Sequence, residues 1–321
     1  MAGVSTATVS RTLSNPAIVS DETRRAVLAA VEATGYSVNI SARNLRRQRV
    51  GSVMALAPNL ANPFFSEILA GMSEALAEQD LNLIVADTQF GESTRRKLVE
   101  YADRSRADGL LILDSRLGAA LFDRPQCPPV VQVCEESDDL TAPCVVADNE
   151  GGTRDAVLHL GALGHREIGR VSGPRENSLT RGRNAGFRAG LDALGLSDHS
   201  EWHFTGDFSM ESGRQAASWL MGLSRRPTAI VCDNDEMACG LMAALIRQGL
   251  SIPDDLAVTG FDDIELSRHL TPSLTTVRQP RRRIGREAVT QLLAAIDGTD
   301  MARRTVIPCS IEARQSTLGA P

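Results

Sequence analysis

The sequence predicts an α/β fold: a small helix-turn-helix head followed by a core of two doubly wound, parallel-sheet lobes. Three observations lead there. From Val50 onward, short apolar runs alternate with amphipathic helical stretches, the pattern of parallel βαβ units. The length of 321 residues exceeds what one simple core fills. Charge is uneven, with seven arginines against three acidic residues in positions 1–49 (net +4) and a net −10 over the remainder. A basic head on an acidic body is a nucleic-acid-binding pattern.

The head is organised around Val4–Leu13. Ser5 is a good N-cap, and Val9 and Leu13 fall four apart on one face. The other face carries Thr6, Ala7, Ser10 and Arg11. These are residue types that read a major groove: arginine on guanine, hydroxyls on either base type, a small apolar group on a thymine methyl. An ordinary amphipathic surface helix would show the same ten residues, so the flanks decide. Gly3 suits a tight turn, Ser14-Asn15-Pro16 ends the helix, and Ser20 caps a second one running through Val27 and Val31 to Gly35. The stretch 37–49, helix-capable at about 40–47, then places a lone leucine, Leu45, among four arginines. That is the composition of a segment that wedges a base step apart in the minor groove.

In the core, strands are expected at 53–57, 83–86, 109–113, 130–133, 144–147, 168–172, 228–232, 257–261 and 274–277, with a break between lobes near Asp148. Helices with apolar periodicity lie between them, as in Phe65, Ile68, Leu69, Met72 and Leu76. Ligands of open parallel sheets sit at the carboxyl ends of strands. Those ends carry Asn62, Asp87, Asp114, Asp148, Asn234, Asp235 and Asp262, a set that suits a polyhydroxylated ligand. Phe64, Phe65 and Phe208 are candidates for an apolar wall. Some of the acids, Asp235 and Asp263 above all, can instead be read as helix caps.

Other chemistry finds little support. The six cysteines form no C-x-x-C pair and read as buried, reduced thiols. No G-x-S-x-G elbow, phosphate loop or H-E-x-x-H helix occurs, so neither catalysis nor a metal or other cofactor is expected. His165 is expected to meet the carbonyls of a helix end, and Arg281-Arg282-Arg283 to form a solvated face. No run of about 18 apolar residues and no signal-peptide h-region occurs, which points to a cytoplasmic protein without a membrane partner.

The ordered motifs AGVSTATVSRTLSN, VSDETRRAV, N-x-x-A-R-x-L, NPFF, ADGLLIL, DN-x-x-GG, LGHREIG, R-x-x-GF, CDNDEMA, GFDD and LTTVRQP closely resemble the lactose-repressor (LacI/GalR) family of transcription regulators. The resemblance implies a periplasmic-binding-protein-like core over residues 50–321. Its N-lobe would cover about 50–148 and 278–307, its C-lobe about 149–277 and 308–321, with crossings near Asp148, Val277 and Pro308. It implies DNA contacts from Asn39, Ala42 and Leu45 beside those of the recognition helix. It also implies effector contacts from Arg183, Asn234 and Asp262. Purine-responsive members use a basic residue and a hydroxyl where this chain has Asn177 and Leu179, so a sugar effector is expected. Members begin with a further helix ahead of AGVS, so the head is expected to be a truncated helix-turn-helix. The ending STLGAP lacks a leucine heptad, which points to a homodimer on palindromic operator DNA.

Two function classes stay open: a repressor controlled by a small-molecule effector bound between the lobes, and a sugar-binding protein of the solute-receptor type with a non-functional head. Salt-dependent retention on DNA separates them.

Overall fold

A computed structural model describes residues 2–14, 16–36 and 49–318 and falls into two units, Met1–Val50 and Gly51–Pro321. The hinge segment expected at about 40–47, with Asn39, Ala42 and Leu45, lies outside the described residues.

In the head, both helices start on a hydroxyl. The Ser5 Oγ accepts the Thr8 amide at 3.2 Å ahead of α1 (Thr6–Ser14), and the Ser20 Oγ accepts the Thr23 amide at 3.4 Å ahead of α2 (Asp21–Thr34). Asp21 and Glu22 complement the positive end of α2, which stops at Gly35 with φ 61°. The most buried residue of α1 is Thr12 (2% exposed), where the sequence pointed to Val9 and Leu13, which are only half-buried. Its Oγ1 donates to the Thr8 carbonyl at 2.8 Å, so the threonine packs inward with its polar atom satisfied. Val27 supplies the buried centre of α2.

The core opens with β1 (Ser52–Ala57), α3 (Phe64–Ala77), β2 (Asn82–Asp87), α4 (Glu92–Tyr101), β3 (Gly109–Ile112), β4 (Val130–Val133) and β5 (Cys144–Ala147). It continues through α5 (Asn149–Ala162), β6 (Ile168–Ser172), α6 (Ser178–Ala193), β7 (His203–Thr205), α7 (Met210–Met221) and β8 (Ala229–Cys232). Next come α8 (Asp235–Arg247), β9 (Ala257–Asp262), α9 (Leu266–His269) and β10 (Thr275–Arg278). The last elements are α10 (Arg281–Asp297), β11 (Arg304–Ile307), β12 (Ser310–Glu312) and α11 (Gln315–Leu318).

Two six-stranded sheets result, ordered β11-β5-β4-β3-β1-β2 and β12-β10-β9-β8-β6-β7. Every pairing is parallel except β12 on β10. The chain thus passes from the first sheet to the second after β5, returns with α10 and β11, and leaves again for β12. Strand β1 is buried along its whole length because helices cover both of its faces. Val53, Ala55 and Ala57 join one apolar layer with α3 and α10, while Met54 and Leu56 join the opposite layer with Val99 and Phe122.

Helix α10 packs on α3 with backbone against backbone. A Cβ on Gly71 would stand 2.1 Å from the Arg282 carbonyl oxygen, and one on Gly285 would stand 2.1 Å from that of Ile68. The crossing buries Ile284, Val289 and Leu292, each worth roughly 1.5–3 kcal/mol.

Candidate effector site and DNA-reading face

On α1, Thr6 and Ser10 stand one turn apart, as do Ala7 and Arg11, and all four are exposed. Their side chains present two hydroxyls, a methyl and a guanidinium on one outer face.

The second polar constellation lies where the strands of both sheets end. Arg183, on the second turn of α6, is 2% exposed. Its Nε donates to Asn149 Oδ1 at 2.9 Å and its Nη1 to the Asp233 carbonyl. Its guanidinium lies 3.9 Å over the Phe261 ring, and its Nη2 stands 3.8 Å from Asp262 Oδ1. Asp262 closes β9 at φ 120° and accepts Gln279 Nε2 at 2.7 Å. Burial pushes its carboxyl up to about 8, against the pull of Arg183 and with the help of nearby Asp235.

Neighbouring Asp263 fares differently. Burial raises it, but Arg268 (2.9 Å), Arg278 (2.7 Å) and Arg314 outweigh that and hold it at about 2. Asp235 is fully buried and accepts from the Ile264 amide, Ser267 Oγ and Thr276 Oγ1. Neither acid caps a helix, contrary to the bland reading of both. Asn234 caps α8 instead, accepting the Met237 amide at 3.0 Å while its Nδ2 donates to the Phe208 carbonyl at 2.9 Å.

The remaining candidates are held by their own surroundings. Asp148 caps α5 by accepting the Gly151 amide at 2.8 Å. Asp87 accepts the Asn59, Leu60 and Gln89 amides at 3.3, 3.1 and 2.8 Å, which fixes the loop after β1. Phe64 and Phe65 pack edge to face at 5.1 Å within the first lobe's core. Phe208, at φ 69°, lays its ring over Gly173. Arg183 and Asp262 are therefore the candidates brought face to face, and the Cys309 thiol lies in the field of both and of Asp148.

Asn149, Gln279 and the Asp233 carbonyl position that pair and were not singled out from the sequence. Asn149 was legible as the neighbour of Asp148; a backbone carbonyl gives no sequence signal. Asp233 is itself fixed by buried Arg170, whose Nε and Nη2 reach its two carboxylate oxygens at 2.9 Å each.

His165 and Arg281 stand elsewhere than the sequence suggests. His165 meets Thr228 Oγ1 at 2.9 Å, and Arg166 Nη1 takes the helix-end carbonyl of Gly161 at 2.8 Å. The longer guanidinium reaches back along the helix, where the imidazole does not. Of the three arginines expected on a solvated face, Arg282 and Arg283 are exposed, Arg282 pairing with Glu67 and Glu74, and Arg281 alone departs, half-buried between the lobes.

The lobes touch through Asn62 Nδ2 to Glu236 Oε2 (3.3 Å), Asn177 Nδ2 to Glu135 Oε1 (3.2 Å) and Arg181 to Asp138 (2.8 Å). Beside them a cavity of about 160 Å³ is lined by Cys134, Asp148, Asn149, Ser178 and Leu179. A larger open groove of about 700 Å³ runs past Phe122 and Pro143 at the opposite strand ends of the first lobe, away from Arg183 and Asp262. Among the described residues, no cluster suits a metal ion and no helix is long and apolar enough to cross a membrane.

A head with an exposed polar helix face and a two-lobed parallel-sheet core with a polar interlobe site have the make-up of a DNA-binding transcription regulator. Residues 1–39 match the model of the bacterial regulatory proteins of the lacI family, and residues 157–317 match that of the periplasmic binding protein-like domain. The HTH-type transcriptional repressor CytR of Escherichia coli is 35% identical over 323 residues, spanning 100% of this chain and 95% of that protein. The HTH-type transcriptional repressor PurR of Photobacterium profundum is 34% identical over 309 residues, spanning 95% and 92%. The structure of the lac repressor dimer bound to operator and the anti-inducer ONPF aligns with TM-score 0.84 at 30% identity, covering 99% of this chain and 96% of that one. That of the transcriptional regulator CelR in complex with cellobiose aligns with TM-score 0.76 at 28% identity, covering 98% and 97%. The chain belongs to the lacI family of bacterial regulatory proteins.

Proposed function

We propose that this chain is a homodimeric repressor that holds palindromic operator DNA through Thr6, Ala7, Ser10 and Arg11. A sugar bound between its lobes controls that grip. The observation that carries the reading is the buried Arg183–Asp262 pair, with Nη2 and Oδ1 3.8 Å apart and not hydrogen-bonded to each other. A rigid donor fork facing an acceptor can hold neighbouring hydroxyls of one ligand. Binding there biases the angle between the lobes, and operator DNA changes effector affinity by the same factor. Cellobiose in the similar regulator CelR supports a sugar as the class of effector.

The test is a thermal-shift screen of monosaccharides and disaccharides with nucleosides and purine bases as a counter-set. A binder present at 100 times its Kd adds ~2.7 kcal/mol of stability. Stabilisation by a nucleoside or base and by no sugar would replace the sugar reading. Flat, salt-independent retention on DNA would favour a plain receptor over a repressor.

A further inference from the structure

The segment where β9 leaves its sheet does three jobs in three consecutive residues. Asp262 faces Arg183 in the candidate effector site. The Asp263 side chain is clamped by Arg268, Arg278 and Arg314 of the second lobe, while its carbonyl accepts Arg281 Nη2 at 2.9 Å. Ile264, 2% exposed, inserts into the apolar core of the first lobe together with Phe64 and Phe65. Asp262 stands at φ 120°, which residues with side chains rarely adopt, and Asp263 at 52°, in the left-handed region that aspartate tolerates.

From the first lobe, Arg281 reaches this segment at the Asp263 carbonyl. It starts α10, whose backbone is locked against α3 at Gly71 and Gly285. Its Nη1 reaches the Pro63 and Phe64 carbonyls at 3.4 and 3.3 Å, at the amino end of α3. One guanidinium therefore joins the α3–α10 pair of one lobe to the strand end of the other. A displacement of Asp262 carries the Asp263 carbonyl with it, and the α3–α10 pair must follow or the hydrogen bond breaks.

We propose that Asp262–Ile264 and Arg281 form the joint that passes occupancy of the candidate site to the first lobe, with Arg281 as a positioning residue that ligand does not need to touch. The transmission step rests on the reading of Asp262 as an effector contact; the joint itself does not.

The test is hydrogen exchange followed by mass spectrometry on the full chain with no sugar added, comparing wild type with Arg281→Gln and Arg281→Lys. Arg281→Gln should speed exchange about tenfold in peptides covering residues 64–68 and 262–267 while β1 and β8 stay protected. Arg281→Lys, which keeps charge and donors, should restore part of the protection. Unchanged exchange in both segments would overturn the joint, and so would a uniform rise across both lobes, which marks a merely structural arginine. If Arg281→Gln does not fold, the Lys variant decides by the same comparison. Because no effector is present, these outcomes are independent of whether a sugar binds at Asp262, which titration of Asp262→Asn tests separately.

Discussion

Arg183 and Asp262 face each other 3.8 Å apart, both buried, with each held by other partners: the arginine by Asn149 and Asp233, the aspartate by Gln279. A guanidinium and a carboxyl this near, kept from closing by their own scaffolds, leave both groups able to turn to a third party. Asp262→Asn preserves shape and the Gln279 contact but removes the acceptor that ionises above about 8. In calorimetric titration at pH 9, where Asp262 is ionised, it should weaken the sugar found by the thermal-shift screen at least tenfold, since a hydrogen bond to a charged group is worth roughly 1.5–3 kcal/mol. Wild-type affinity in this variant would take Asp262 out of the site.

The adjacent carboxylates give the core two opposed pH responses. Asp262, raised from 3.8 to about 8, binds its proton more tightly when folded. The stability it contributes is complete below the unfolded value and is lost as pH rises through about 8. Asp263, lowered to about 2, contributes stability above the unfolded value that is lost as pH falls through about 2. Thermal melts from pH 4 to 9 should show wild type losing ground to Asp262→Asn as pH rises. Parallel curves for the two proteins would refute the assignment.

Gly285→Ala should destabilise the core by at least 1–3 kcal/mol, an order-of-magnitude cost of overpacking, because the new Cβ meets the Ile68 carbonyl at 2.1 Å. Helix α10 would have to rise off α3, loosening Arg281 as well. Urea unfolding reads the loss directly, and an unchanged midpoint would show that the two helices separate without cost.

Arg11→Ala should leave the fold and sugar binding intact, because the side chain is exposed. Anisotropy titrations at one fixed salt concentration, on a site selected from random duplexes, should show a loss of about 1–3 kcal/mol and relaxed preference at one base pair. A loss equal on selected and random duplexes would make Arg11 a phosphate contact instead.

The class of fold was legible because nine strands announce themselves as apolar runs, β1 and β8 most plainly. The three that were missed, β7, β11 and β12, are short strands at or next to a sheet edge, with residues such as His203, Arg304 and Glu312 in place of an apolar run. Edge strands bury too little to need one. In the site, Asp262 was legible because ligands gather at strand ends. Arg281 was not: its role depends on β9 and α3 meeting in space, and in sequence it is one of three consecutive arginines. Asp235 misled for a related reason. It follows the true cap, Asn234, and its partners Ser267 and Thr276 lie some thirty to forty positions downstream.

The interleaved route of the chain also governs how the protein emerges from a ribosome. Strand β5 leaves the first sheet at Ala147, yet the helix that covers Leu111 and Val131 begins at Arg281 and the strand that borders β5 begins at Arg304. At roughly 5–20 residues per second, the part of that face beneath α10 stands bare in the nascent first lobe for about seven to thirty seconds. The second lobe waits longer still for β12. Each lobe is completed only by the last forty or so residues, so a chain that stops ahead of α10 should leave both sheets with an uncovered face or edge, sticky surface for chaperones and proteases to clear.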